Sequence, residues 1–283
     1  MSSMAQKLRA LIAENQHFVA AEAYSALTGR IVEQVGFKAA YMGGHAASAF
    51  HYAVPDNGVY SQVEQIEQAG RIAAAMDIPL IADADTLGET VADAYHFTRR
   101  YVRAGVAGVH VEDEMNPKHS RWKNGLCRID DMQARIDAAV RARGDSGFVI
   151  IARCDEMYGQ ARGGGGTGSI DEAIKRGRAY AEAGADALVY PIASPDAHAQ
   201  IVPEVGIPVC TLGFDQPNTA FTLSTGWGWV GAAQLHLARA KELMATGSVT
   251  MDHVLEGKAQ LIEQDFYDGL IAEWVAKTGR EGR

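Results

Sequence analysis

The sequence predicts an α/β protein: a (β/α)8 barrel of the TIM type over residues 1–247, with an additional C-terminal helical segment over residues 248–283. Two observations carry this. Eight strand candidates, short and apolar, are each followed by a helical run or a short helical turn, with no linker between them. Polar residues recur where these apolar runs end: Asp83 and Asp85, Glu112 and Asp113, Arg153 and Asp155. A doubly wound open sheet shares the alternation, but the recurrence fits a barrel, whose active sites are assembled at strand C-termini.

In chain order, residues 4–13 read as an amphipathic entry helix with Leu8, Leu11 and Ile12 on one stripe, and residues 17–23 as a buried strand. A helix over residues 25–35 stops before Gly36, and residues 39–42 form a short strand entering the Gly43-Gly44 turn. Residues 60–76 are helical, with Val63, Ile66, Ala69 and Ile72 on the apolar face. Further strands are expected at 78–84, 108–112, 147–153, 187–192 and 207–212, and the weakest pattern places the last at 226–230. Helices are expected at 91–104, 129–142, 170–183 and 232–244. Beyond Ser248, a helical segment over residues 253–274, broken near Gly257 and Gly269, carries Val254, Leu261, Phe266, Leu270 and Trp274. That is too much apolar surface for a solvated tail, so it is expected to dock on the barrel or on another subunit.

The balance of 26 basic against 35 acidic residues, a net charge of -9, argues against nucleic-acid binding. Cys127, Cys154 and Cys210 show no spacing that suggests a disulfide framework or a zinc knuckle. The first nine residues lack an apolar signal core, and no run of about 18 apolar residues occurs. A cytoplasmic protein that neither spans a membrane nor carries a standard export signal is the expectation.

Strand alternation would aim Asp83 and Asp85 at one side, where two like charges need a compensating cation. A hard metal ion is the first candidate, and Glu112, one strand–helix–strand unit later, is placed to face the same cavity. His110, on the side of Glu112, reads as a hydrogen-bonded barrel histidine. Arg153 reads equally as a substrate-carboxylate fork and as a partner for Asp155 or Glu112. The loop 162–169 formally contains a GxGxxG pattern, but it does not directly follow the strand ending near Arg153 and lacks the Walker lysine. It reads as a flexible βα loop over the barrel mouth, with Ser169 capping the next helix.

Taken together, Ile81-Ala82-Asp83-Ala84-Asp85-Thr86, Glu112-Asp113 with Pro117-Lys118, and Ile150 to Asp155 resemble the signature strands of the isocitrate lyase/phosphoenolpyruvate mutase superfamily. Tyr41, Gly44, Pro55-Asp56 and Asp171-Glu172-Ala173 fall in the same order. The resemblance implies a modified barrel that binds Mg2+, with Mn2+ as a substitute, and an α-oxo or hydroxy carboxylate. It implies Asp85 as direct metal ligand, Asp83, Asp56 and Glu112 as carboxylates acting through water, and Arg153 as the substrate clamp. Tyr41, Gly43 and Gly44 would surround the substrate's carboxylate and carbonyl. It also implies a homotetramer, a dimer of dimers exchanging terminal helices.

Departures bear on the reaction. Where carbon–carbon lyases of the group carry an acid–base cysteine, this chain has Lys118-His119-Ser120, with Ser120 at the cysteine's position. A hydroxyl is a far weaker acid than a thiol, so either Lys118 or His119 takes over the proton transfer or the chemistry needs no such acid. Tyr190-Pro191-Ile192 and Thr211-Leu212 stand where lyases place a glutamate and an asparagine, so a second substrate carboxylate is absent or is held by His45, Arg121 or Lys123. The expected activity is a Mg2+-dependent lyase that cleaves a C–C bond of a small 2-hydroxy or 2-oxo (di)carboxylic acid through a metal-bound enolate. Phosphonopyruvate mutase or hydrolase chemistry is second, and oxo-acid decarboxylation or hydrolysis third. A non-catalytic binding protein ranks last.

Overall fold

The structure is a computed structural model that describes residues 3–14, 16–119, 125–158, 164–213, 218–251 and 255–279. After helix α1 (Met4–Ala13) come parallel strands β1 (Phe18–Glu22), β2 (Ala39–Met42), β3 (Leu80–Asp83), β4 (Gly108–Glu112), β5 (Val149–Arg153), β6 (Ala187–Val189), β7 (Val209–Leu212) and β8 (Phe221–Leu223). They pair in chain order, and β8 closes on β1 through Phe18 against Phe221, whose rings stack with centroids 5.0 Å apart. The barrel expected from the sequence is therefore present. Around it lie α2 (Ala26–Val35), α3 (Gly44–Tyr52), α4 (Gln62–Ala73), α5 (Val91–Arg103), α6 (Ile129–Arg143), α7 (Ile170–Glu182) and α8 (Pro195–Ile201). Ser25, Ser61, Thr90 and Ser169 cap α2, α4, α5 and α7, each accepting a hydrogen bond from a backbone N–H of the first turn.

Side chains alternate across the barrel wall. Ala39, Tyr41, Ile81, Val149, Ile151 and Val189 fill the interior, whereas Ala40, Met42, Leu80, Ala82, Val109, Val111 and Ile150 pack under the helices. Leu8 of α1 joins the interior cluster and is fully buried. The same parity turns Asp83, His110, Glu112 and Arg153 inward toward the C-terminal mouth, with Asp83 paired to His110 and Glu112 to Arg153 across neighbouring strands.

Two expected elements differ. The eighth strand is Phe221–Leu223, and residues 227–230 instead open helix α9 (Trp227–Thr246). Trp and Val favour strands, but here the Glu22 carboxylate, at the end of β1, accepts hydrogen bonds from the N–H groups of Gly226, Gly228 and Trp229 at 2.6, 2.7 and 3.1 Å. That satisfies N–H groups a helix start leaves unpaired and outweighs local propensity. The expected break at Gly269 is also missing.

The chain divides into two compact units, Met1–Val230 and Gly231–Arg283. The second holds the rest of α9 with α10 (Lys258–Leu261) and α11 (Gln264–Thr278), and Gly269 lies inside α11. Neither α9 nor α11 buries a residue, and Leu243, Met244, Phe266, Ile271 and Trp274 are exposed. Among the described residues, no helix is long and apolar enough to cross a membrane.

Two glycines give a test of this packing. A Cβ at Gly177 of α7 would collide with Tyr190 Oη and lie 2.9 Å from Val205 Cγ1, while one at Gly269 would meet nothing. Urea denaturation should show Gly177→Ala less stable by about 1–3 kcal/mol, the overpacking exceeding the gain in helix propensity. Gly269→Ala should be more stable by about 0.5–1 kcal/mol.

Candidate functional site

Asp83 ends β3 and is 3 % exposed, and its two oxygens accept the N–H groups of Asp85 and Gly44, each at 3.0 Å. Gly44 is required for this approach, since a Cβ there would lie 2.9 Å from Asp83 Oδ2. Asp85 lies beyond the strand, and strand alternation does not orient it. Its backbone is left-handed (φ 45°), a conformation Asp tolerates better than most residues, and the turn brings its carboxylate beside that of Asp83. Oxygens of Asp83, Asp85 and Glu112 come within 4.8 Å of one another.

Lys118 compensates this negative charge. Its side chain is fully buried, and its Nζ bonds Asp85 Oδ1 and lies 3.0 Å from Glu112 Oε1 and 3.2 Å from Asp56 Oδ1. The ammonium thus bridges three of the four carboxylates expected around a metal. Burial alone would lower the Lys118 pKa, yet Asp85, Glu112 and Asp56 together raise it well above the ordinary lysine value. Burial pushes Asp85 up to about 7, and the neighbouring carboxylates add to this against the pull of Lys118. At Asp56 the balance goes the other way: Lys118 and His119 hold its carboxyl well below the usual range despite burial.

An all-oxygen donor set suits a hard divalent ion such as Mg2+ or Mn2+. Among the described residues neither Glu112 oxygen has a hydrogen-bond donor, and the carboxylate is held by ion pairs to Lys118 and to Arg153 Nη1 at 2.9 Å. Asp83, Asp85, Glu112 and Asp56 therefore fit such an ion, which would take the place of the Lys118 ammonium.

Arg153 makes both contacts anticipated for a barrel-lining ion pair, to Glu112 and, through Nε, to Asp155 Oδ1 at 3.0 Å, and it also lines a cavity of about 400 Å³. Tyr41, Gly43, Gly44, Asp56, Asp83 and His119 line the same cavity. Tyr41 Oη is 2.8 Å from His110 Nε2. Burial raises the Tyr41 pKa and lowers that of His110, so a neutral phenol and a neutral imidazole share this hydrogen bond. His119 lies 3.2 Å through Nδ1 from the Asp56 carbonyl oxygen, 3.6 Å through Nε2 from Glu114 Oε2, and edge-on to Tyr158. Ser120, Arg121 and Lys123 lie outside the described residues. His45 lines the cavity, is exposed and packs beside Trp229, with ring centroids 5.2 Å apart.

One contributor, Gln65, was not singled out from the sequence, and Asp113 was named there only as a strand-end residue without this role. Gln65 of α4 donates from Nε2 to Asp85 Oδ2. Asp113, next to Glu112, faces the helices: its Oδ2 accepts from Arg176 at 3.0 Å and Tyr180 at 2.6 Å, and its Oδ1 accepts the Asp155 N–H at 2.9 Å. It thereby fixes the residue that holds Arg153. Alternation past Glu112 was the available signal for Asp113, whereas a helix glutamine bound to a strand-end carboxylate leaves none. The glycine loop is not a phosphate cradle in its described part. The N–H groups of Thr167 and Ser169 are taken by Glu156 Oε1 at 2.9 and 3.2 Å, and a Cβ at Gly166 would collide with the Glu156 carbonyl.

Replacing Lys118 tests its place among the carboxylates. Lys118→Met should lower the stability of the metal-free protein by about 3 kcal/mol, as when one partner is taken from a buried ion network. It should also tighten Mg2+ binding by about tenfold or more, since the ion no longer competes with a tethered ammonium. Thermal unfolding in EDTA and Mg2+ calorimetry read the two effects separately.

Comparison with known proteins agrees with this geometry. The family described as phosphoenolpyruvate phosphomutase matches residues 8–248. The chain is 37% identical over 199 residues to 2,3-dimethylmalate lyase of Eubacterium barkeri, covering 70% of this chain and 65% of that protein. It is 36% identical over 188 residues to phosphonopyruvate hydrolase of Variovorax sp. (strain Pal2), covering 65% and 62%. It thus spans less than two thirds of the length of these curated relatives. Among solved structures, oxaloacetate acetylhydrolase in complex with 3,3-difluorooxalacetate superposes with a TM-score of 0.80 at 26% identity, covering 99% of this chain and 98% of the other. Phosphonopyruvate hydrolase in complex with oxalate and Mg++ superposes with a TM-score of 0.83 at 25% identity, covering 96% and 99%. A match across most of the barrel, with the acidic cluster at its mouth, means that the chain belongs to the phosphoenolpyruvate phosphomutase family, within the isocitrate lyase/phosphoenolpyruvate mutase superfamily.

Proposed function

We propose that the chain is a Mg2+-dependent lyase cleaving a C–C bond in a small 2-hydroxy or 2-oxo carboxylic acid. The observation that carries the reading is one cavity lined both by Asp83, a member of the buried carboxylate cluster able to take a divalent ion, with Asp56, and by a buried guanidinium, Arg153, able to take an organic acid. Asp83, Asp85, Glu112 and Asp56 would hold the ion, which would supply Lewis-acid polarisation of the substrate. Arg153, held by Glu112 through Nη1 and by Asp155 through Nε, turns its remaining charge toward the substrate carboxylate. Tyr41, Gly43 and Gly44 line the same cavity.

Retro-aldol cleavage removes the substrate's hydroxyl proton and leaves an electron pair on the departing carbon, which must then be protonated. No described cysteine lines the cavity; Cys127, Cys154 and Cys210 are all buried, and burial pushes the Cys127 thiol up to about 11. His119 lines the cavity between Asp56 and Glu114, and it is the described loop residue placed to give that proton. The absence of a thiol favours carbon–phosphorus chemistry of the phosphonopyruvate type as the second reading, with the similarity to phosphonopyruvate hydrolase in its support.

The exposed apolar residues of α9 and α11 support a homo-oligomeric assembly, a dimer of dimers, in which these helices find a partner. Light scattering should give four times the chain mass, and Leu270→Glu with Trp274→Glu should lower it.

Calorimetric titration with Mg2+ and oxalate, a planar mimic of an enolate, tests the site. Oxalate should bind only with Mg2+ present, and Asp85→Ala should weaken it by about 100-fold. Equal binding without Mg2+ or in the variant removes the metal-dependent reading. Phosphate release from phosphonopyruvate, without cleavage of hydroxy acids, decides for the second chemistry.

A further inference from the structure

A second cavity of about 400 Å³ shares no lining residue with the one at Arg153. It is lined from the turn after β3, the start of α5 and the first two turns of α6, and Thr86, Glu89, Cys127, Asp131 and Arg135 are among its residues. Arg135 is 8% exposed. Its Nη1 donates to the Thr86 carbonyl at 3.1 Å, and among the described residues no carboxylate pairs with it. Arg153 and Arg176, buried to a like degree, both have carboxylate partners. A guanidinium is always charged and carries five N–H donors, so one neutral carbonyl leaves most of it unanswered, and an unpaired buried charge is costly.

The charges of the lining are divided by depth. Arg135, Thr86 and Cys127 are buried, whereas the two carboxylates, Glu89 and Asp131, are exposed. From this we infer that the cavity binds a small free amino acid, with its carboxylate on Arg135 and its ammonium at Glu89 and Asp131. A simple anion reaching Arg135 meets the repulsion of two carboxylates, and a simple cation drawn to those carboxylates meets the guanidinium. A molecule that carries both charges a few bonds apart answers each of them, and the planar guanidinium takes a carboxylate through two parallel hydrogen bonds. The site is separate from the metal-and-acid cavity and does not depend on the activity proposed there.

Calorimetry of the metal-free protein at low salt, with L-alanine, propanoate and ethylamine as probes, tests the inference. Propanoate is alanine without its ammonium, and ethylamine is alanine without its carboxylate. L-alanine should bind at one site per chain, about fivefold or more tightly than either half. Arg135→Gln should abolish that binding. Arg135 also holds the Thr86 carbonyl, so a second variant reads the site without touching that bond. Glu89→Gln combined with Asp131→Asn, both at exposed positions, should bring L-alanine down to the affinity of propanoate. No saturable binding of L-alanine up to about 20 mM overturns the inference. Propanoate or ethylamine binding as tightly as alanine also overturns it. So does alanine binding that neither variant moves, because that binding would lie at another site.

Discussion

Burying like charges beside one another is what the rest of this site has to accommodate. Asp83, Asp85 and Glu112 are at most 4% exposed, and carboxylates so placed either attract a cation or take up protons. Two cations answer, and they meet at Glu112 on different oxygens. Lys118 reaches Asp85, Glu112 and Asp56 through one ammonium, and Arg153 joins Glu112 to Asp155. The two differ in what they leave free. A lysine ammonium on a flexible stem can withdraw and be replaced by an ion, whereas a guanidinium forked between two carboxylates stays and orients an incoming acid.

The supports lie one layer out. Asp113 is anchored by Arg176 and Tyr180 and holds the backbone of Asp155, which in turn holds Arg153. Gln65 steadies Asp85 from α4, and Gly44, lacking a Cβ, brings the start of α3 close enough for its N–H to donate to Asp83. Charge at the mouth is therefore positioned by groups on α4, α7 and the strand ends, so a change among the outer helices reaches the cavity through defined hydrogen bonds.

Much of this was legible in the sequence because barrel strands impose a period of two. Counting alternate positions places Tyr41, Asp83, His110, Glu112 and Arg153 on the inner face, and the structure has them there. Legibility fails where long-range contacts override local preference. Residues 227–230 have the composition of a strand, yet Glu22, more than two hundred residues away, caps them as a helix. Gly269 looks like a helix break, but an exposed helix carries a glycine at the cost of about 1 kcal/mol. The position of Lys118 could not be read either, since a loop has no periodicity to state where an ammonium ends up. Asp85 joins the cluster through a left-handed turn and not through the strand pattern that first drew attention to it.

A divalent ion bound to Asp85 and Glu112 would occupy the position that the Lys118 ammonium holds. Anomalous scattering from crystals grown with Mn2+ and oxalate tests this directly. A manganese peak at bonding distance from Asp85, with the Lys118 Nζ withdrawn from Asp85 and Glu112, is the expected result. Lys118 still seated among the carboxylates, with no peak there or with the peak elsewhere, would contradict it.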